Sequence, residues 1–413
     1  RSTLFPYTTL FRSNADAMHI AGELCKSFER KRPISAPIWF VQFFKVLGFT
    51  LHAVPMNLWY AGLLVALFLH VRGNENARHF GGRIMRQMPI IVALGVNLGI
   101  VPLLFVQTAY YQVFYPATIL MAWTWLAIIA LLIPAYYGVY LYAWGCKNGE
   151  KLPWWKTAAG WCAAGLFITI GFIFANGMSL MGHVGHWGEL WSDNSVGGAA
   201  LGTALNIGDA TLWPRWLLMF GLALQTTAVW LLVDVEWLDG KAAVPATAKQ
   251  ALGDGDSADA KQASDDYRRW AWGFAKKLHT FGLVWFAAAG SWYVFGTWSA
   301  GLRESMFQWP MLTITAATAL APGLPWLLMM VGGRRRAVVI FIALAQFGVL
   351  GVNAVSRQIA QNLNLKPYWD VYSLPENVQW GPLVMFLAAF VVGLGVVGWM
   401  ISRIRKCDPA PQL

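Results

Sequence analysis

Seven histidines, His19, His52, His70, His79, His183, His186 and His279, carry the side chains of this sequence best suited to ligate a metal or exchange a proton near neutral pH. The four cysteines, Cys25, Cys146, Cys162 and Cys407, show neither CxxC nor CxxCH spacing, which excludes a thiolate metal cluster and a covalently attached c-type haem in this chain. Imidazole remains as the ligand for any iron, because neutral His binds haem iron axially in many b-type sites.

His52 opens the segment LHAVPMNLWYAG, where Pro55 and small residues leave space beside it. It fits two roles, a haem ligand or a hydrogen-bonded interfacial residue. His52 and His70 lie on one predicted helix, about 27 Å apart at 1.5 Å per residue, so they cannot serve one iron. His183 and His186, in MGHVGHWGELW, suit a loop surface better than a metal, although both could act as ligands. His70, His79 and His279 read as inner-boundary residues beside Arg and Lys.

The elements that must hold these groups are membrane helices. Of 413 residues, 57% are hydrophobic and only 12% charged, against about 25% charged in an ordinary soluble domain. The net charge of +11 does not point to nucleic acid, because the basic residues sit in short clusters between apolar runs. Runs long enough to span a bilayer fall at about 50–71, 88–110, 117–144, 157–181, 212–233, 272–298, 309–332, 337–358 and 380–402. The pattern predicts an all-α polytopic protein with nine transmembrane helices. Residues 36–49, APIWFVQFFKVLGF, read as an interfacial helix ahead of the first span.

Lys and Arg favour loops 1–2, 3–4, 5–6 and 7–8 and the C-terminal tail, twenty against four in the remaining loops between spans. That bias puts the N-terminus outside and the C-terminus inside. The segment 1–13, RSTLFPYTTLFRS, resembles translated sequencing-adapter read-through, and Met18 is a possible initiator. Residues 14–49 form the N-terminal tail and interfacial helix, and 50–235 carry helices 1–5. The Ala-, Asp- and Lys-rich stretch 236–269 has the composition of a flexible cytoplasmic linker. Residues 270–403 carry helices 6–9 and 404–413 a cytoplasmic tail. The outer loop 182–211, rich in Gly and Trp, is expected to fold against the helix ends.

No Asp or Glu falls in the middle of any run. The polar groups there are Asn97 and Gln107 on helix 2, Asn176 on helix 4, Gln225, Thr226 and Thr227 on helix 5, and Gln346, Asn353 and Arg357 on helix 8. Most suit interhelical hydrogen bonding, and Arg357, near the outer end, suits snorkelling. The outer loops carry Glu189, Asp193, Asp209, Glu304, Asp370 and Glu376, a rim that could steer a basic soluble protein, although positive-inside sorting alone also depletes cations there.

The helix 1 segment HAVPMNLWYAGLLVALF, VNLGIVPLLFVQTAYYQVFYP on helix 2, GLFITIGFIFANGMSLM on helix 4 and the closing NAVSRQIAQNLNLKPYWDVY and QWGPLVMFLAAFVVGLGVVGWM together resemble subunit I of the cytochrome bd quinol oxidases, over essentially all of residues 36–403. The resemblance is closer to divergent bd-like proteins than to true oxidases. It implies haem b, at most one site, with His52 as iron ligand. The expected cofactor-binding set is His52, Met56, Trp59, Asn97, Gln107, Asn176 and Arg357, with His183 and His186 as alternative metal ligands. The family's helix 3 glutamates are missing from ATILMAWTWLAIIALLIPAYYGVYLYAW, and Leu218 or Met219 stands where its helix 5 His would. TWSAGLRESMFQWP is too short for its quinol-binding loop. Oxygen reduction of the usual kind is therefore not expected. The resemblance implies an oxidoreductase subunit of a respiratory electron-transfer complex in a bacterial inner membrane, working with other respiratory subunits or a c-type cytochrome. A haem-free membrane scaffold, or a transporter, is the alternative.

Overall fold

The computed structural model describes residues 31–147, 152–238 and 257–404. The expected adapter segment 1–13, the remainder of the tail up to 30, and most of the linker, 239–256, lie outside the described residues.

The protein is an all-α polytopic membrane protein. Seven helical stretches among the described residues are long and apolar enough to cross a bilayer, and a helix is the element that satisfies its own backbone polar groups in lipid. The first is Ile38–Arg72, built from α1 (Ile38–Asn57), a π-turn at Leu58–Gly62, and α2 (Leu63–Arg72). The second is α3 (Glu75–Ala109), begun by Asn74, whose side chain accepts the Ala77 N–H at 3.0 Å. After the short α4 (Tyr111–Leu120) come α5 (Ala122–Lys147) and α6 (Trp154–Gly182), which pack as a pair. In the loop 182–211, α7 (Trp187–Asp193) leads into a two-stranded hairpin, β1 (Ser195–Val196) and β2 (Ala199–Ala200). Its turn residues Gly197 and Gly198 have φ of 58° and 78°, a backbone conformation that side chains with a Cβ rarely adopt.

The second half comprises α8 (Leu212–Val233) with a π-turn at Asp234–Leu238, α9 (Ser257–Ser291), α10 (Ala300–Phe307), α11 (Met311–Leu320), α12 (Gly323–Val331), α13 (Arg336–Leu365) and α14 (Trp380–Ile404). The helices α11 and α12 form one span, Met311–Val331, interrupted at Ala321–Pro322. The long α9 runs alongside α8, and α13 packs on α1, α8 and α12. The two runs of the nine that fall outside the seven are 272–298 and 380–402. Across 272–298, Trp, Tyr, Ser and His dilute the apolar stretch, and in α14 the described apolar stretch is Trp380–Gly393.

Two segment boundaries differ from expectation. Residues 36–49 do not form a separate surface helix: α1 runs unbroken from Ile38 through His52, burying Phe40, Gln42, Phe44 and Lys45. Nothing between Phe49 and His52 breaks a helix, and Phe40 and Phe44 gain partners in Phe105, Phe386 and Phe390. At the linker, residues 257–269 belong to α9, with Tyr267 fully buried.

Two ion pairs fasten the end of the bundle where α8 closes. Arg83 donates from Nε and Nη2 to Asp234 at 2.8 and 3.0 Å, and Gln87 donates to the same carboxylate at 2.6 Å. Arg268 pairs with Glu236, which also accepts from the Trp272 indole at 3.1 Å. Both carboxylates are fully buried, and each is paired and hydrogen-bonded, as a buried charge requires.

Candidate functional site

The helix α1 and the π-turn that follows it present Gln42, Lys45, Phe49, His52, Met56 and Trp59 at spacings of three and four residues, which place them along one side. His52 is half-buried and its Nδ1 lies 2.8 Å from the Gly95 carbonyl oxygen. A carbonyl only accepts, so the ring donates from Nδ1 and is held as the Nδ1–H tautomer. Its Nε2 then carries the lone pair and has no hydrogen-bond partner among the described residues. This is the arrangement of a histidine oriented by one nitrogen and available for ligation through the other.

Two glycines on α3, in GVNLG, leave room for the rings of His52 and Trp59. A Cβ on Gly99 would stand 2.8 Å from His52 Cε1, and one on Gly95 would stand 2.1 Å from the Trp59 ring. Trp59 meets His52 edge-on at 5.7 Å and stacks on Phe167 at 5.6 Å. Pro55 interrupts the α1 hydrogen-bond ladder just before the π-turn at Leu58–Gly62, a local widening that recurs at functional sites. Met56 packs toward Ala53, Leu222, Phe286, Val349 and Leu350, closing the site against α8, α9 and α13.

The surroundings are cationic. Arg357 places its guanidinium 4.6 Å from the Phe49 ring centre and lies within electrostatic reach of His52, Lys45 and Arg215. Its side chain is exposed. Lys45 is buried, with Nζ 3.9 Å from the Tyr110 ring centre and no hydrogen-bond partner. Among the described residues no carboxylate pairs with Lys45 or Arg357, so the cluster is complementary to an anionic guest.

Other expected members lie elsewhere. Asn97 is exposed and donates to the Ala93 carbonyl of its own helix at 2.8 Å, so it faces away from His52. Gln107 is half-buried two turns outward from Gly99. Asn176 is fully buried and accepts the Asn206 N–H at 3.1 Å, pinning the outer loop. Asn206 donates to Ser179 at 2.8 Å and to His183 Nδ1 at 3.1 Å, and Asp209 accepts from Thr211 and Ser179. Burial, the largest influence, holds the His183 pKa below the usual histidine value, and Asp209 at 3.5 Å offsets part of that. His186 is exposed beside Glu189 at 3.2 Å. Among the described residues no group of three or more His, Cys, Asp or Glu is placed to hold a metal ion. A haem asks less of the protein, one or two axial ligands.

The buried position of Asp209 removes it from the expected acidic rim, whereas Glu189 and Asp193 are exposed. His279 is fully buried, whereas His70 and His79 pack against Tyr142 and Tyr267. Sequence reasoning missed Lys45, placed in a surface helix, and Asp234 and Glu236, placed at a loop edge. The signal for the latter was DVE closing an apolar run opposite the basic clusters around Arg83 and Arg268.

Comparison of the sequence with protein-family models and with curated proteins finds no match.

Proposed function

We propose that this protein is a bd-like membrane subunit of a respiratory electron-transfer complex that holds one haem b through His52. The observation that carries this reading is the His52–Gly95 hydrogen bond, which fixes the ring and leaves Nε2 for iron. The residues beside it suit the group: Gly95 and Gly99 leave room for the Trp59 and His52 rings, Trp59 and Met56 are apolar neighbours, and Arg357, Arg215 and Lys45 offer cations to its carboxylates. Bound haem would supply a one-electron carrier. The chain's own contribution is to orient the ligand, exclude water and balance the carboxylate charge.

In this reading the helices α9 and α14 complete nine spans in a bacterial cytoplasmic membrane, with the N-terminus outside and the C-terminus inside. The haem then lies toward the outer surface, where Glu189 and Asp193 would meet a basic c-type cytochrome or another respiratory subunit. Oxygen reduction is not assigned, given the missing family glutamates and quinol loop.

The test is the optical spectrum of the purified full chain from haem-replete cells. A Soret band and a reduced b-type α band, both absent in His52→Ala, are expected, with no quinol-driven oxygen uptake. A colourless wild-type protein would refute haem binding and leave a scaffold.

A further inference from the structure

Five residues inward from His52, Asn57 enters a second polar cluster that shares no residue with the haem reading. Its members come from four helices: Asn57 on α1, Gln225 and Thr226 on α8, His279 on α9 and Gln346 on α13. Asn57, Gln225 and His279 are at most 1% exposed and Gln346 is 2% exposed, so lipid and bulk water are both excluded.

Hydrogen-bond chemistry fixes how the three amides point. Thr226 spends its only hydroxyl proton on the Leu222 carbonyl at 2.8 Å, so its oxygen can only accept. Asn57 and Gln346 therefore turn their NH2 groups to it, at 2.9 and 3.2 Å. Gln225 donates its NH2 to the Gly282 carbonyl at 3.2 Å, one turn along α9 from His279. The oxygens of Asn57, Gln225 and Gln346 are then all left without a partner, and so are both ring nitrogens of His279. His279 lies beside Gln346 but does not reach hydrogen-bond geometry with it.

Buried polar atoms without partners are costly and rare, and this many within one cluster calls for a guest. The amide atoms left open are all acceptors, so the guest must donate. A water molecule does this: it can donate to two amide oxygens and accept from the imidazole N–H, within the two to four partners usual for buried water.

We propose that Asn57, Gln225, Gln346 and His279 enclose a hydrated site in the interior of the bundle, where water is held against an imidazole. The site places a protonatable group in contact with water among helices that carry no other charge at that position. Charged groups on the surrounding elements do not compete for the ring. Asp234 and Glu236 beyond α8 are paired with Arg83 and Arg268, Arg357 lies about 16 Å outward from Gln346 along α13 at 1.5 Å per residue, and on α9 itself Lys277 is exposed and Lys276 half-buried. The helix α12 carries no charge.

The experiment is water-edited solid-state NMR of the full chain in bilayers, with histidine labelled by 15N in the ring. Loss of one resonance in His279→Phe assigns the signal. Transfer from water to the His279 ring nitrogens is expected in the wild type and should fall several-fold in Gln346→Leu, which removes one wall of the site. Should that variant fail to fold, Asn57→Leu removes a different wall with the same expectation. A ring that receives no magnetisation from water overturns the proposal, as does a transfer that neither variant reduces. Since His52 is untouched, either result is independent of whether haem is bound.

Discussion

Arg83 and Asp234, 151 residues apart, meet as a two-pronged ion pair in which the carboxylate is fully buried. The contact ties α3 to the end of α8. Removing one partner leaves the other charge buried and alone. Arg83→Met is expected to destabilise the protein by about 3–5 kcal/mol, and the double variant Arg83→Met, Asp234→Leu to recover most of that loss. Unfolding measured by steric trapping in lipid checks both; equal instability of the single and double variants would show that the pair's charge is not what matters.

Gly95 and Gly99 are expected to resist even small side chains. In Gly95→Ala the new methyl meets the Trp59 ring, and in Gly99→Ala it meets His52. Overpacking of this kind costs about 1–3 kcal/mol. On the haem reading, Gly99→Ala should lower the haem-to-protein ratio while Gly165→Ala, with open space around it, should not. Pyridine haemochrome assays on the two purified variants make the comparison.

The outer loop should loosen in acid. Because burial holds the His183 pKa below its ordinary value in the folded protein, the unfolded chain takes up the proton more readily. The loop's stability is complete above the ordinary histidine pKa and declines as pH falls through it. Hydrogen exchange across 195–211, corrected for intrinsic rates, should accelerate on acidification in the wild type, and His183→Gln should flatten that dependence. An identical profile in the variant would remove His183 from the explanation.

The nine-span topology has a direct check. Reporter fusions within 251–263 and within 197–204 are expected to lie on opposite sides of the membrane. Reporters on the same side would mean that the number of crossings between them is even.

The seven apolar stretches coincide with seven of the runs read from the sequence, because hydropathy over some twenty residues decides whether a helix can sit in lipid. His52 was also legible, as an imidazole beside Pro55 in a run of small residues. Its tautomer was not, because that depends on a carbonyl 43 residues away. The outer loop folds on the helix ends as its Gly and Trp content suggested, with Ala204 bonded to the Leu120 carbonyl and Gly202 accepting from Trp123. Asp209 looked like a surface acid because nothing local reveals Ser179, thirty residues earlier, as its partner.

Composition and pattern alone therefore determined the solvent of this chain: low charge and long apolar runs make a polytopic helical membrane protein whatever the helices touch. Which side chains face which neighbours was decided only by packing. Lys45 and Gln42 sit one turn apart in a stretch that reads as amphipathic, yet both are buried once α3 and α13 close over them. Asn57, Gln225, His279 and Gln346 are unremarkable singly and spread over nearly 300 residues of sequence. They become one site because four helices cross at the same depth. Hydropathy is a sum over one segment and is local, whereas hydrogen-bond satisfaction is a relation between segments and exists only when the helices are assembled.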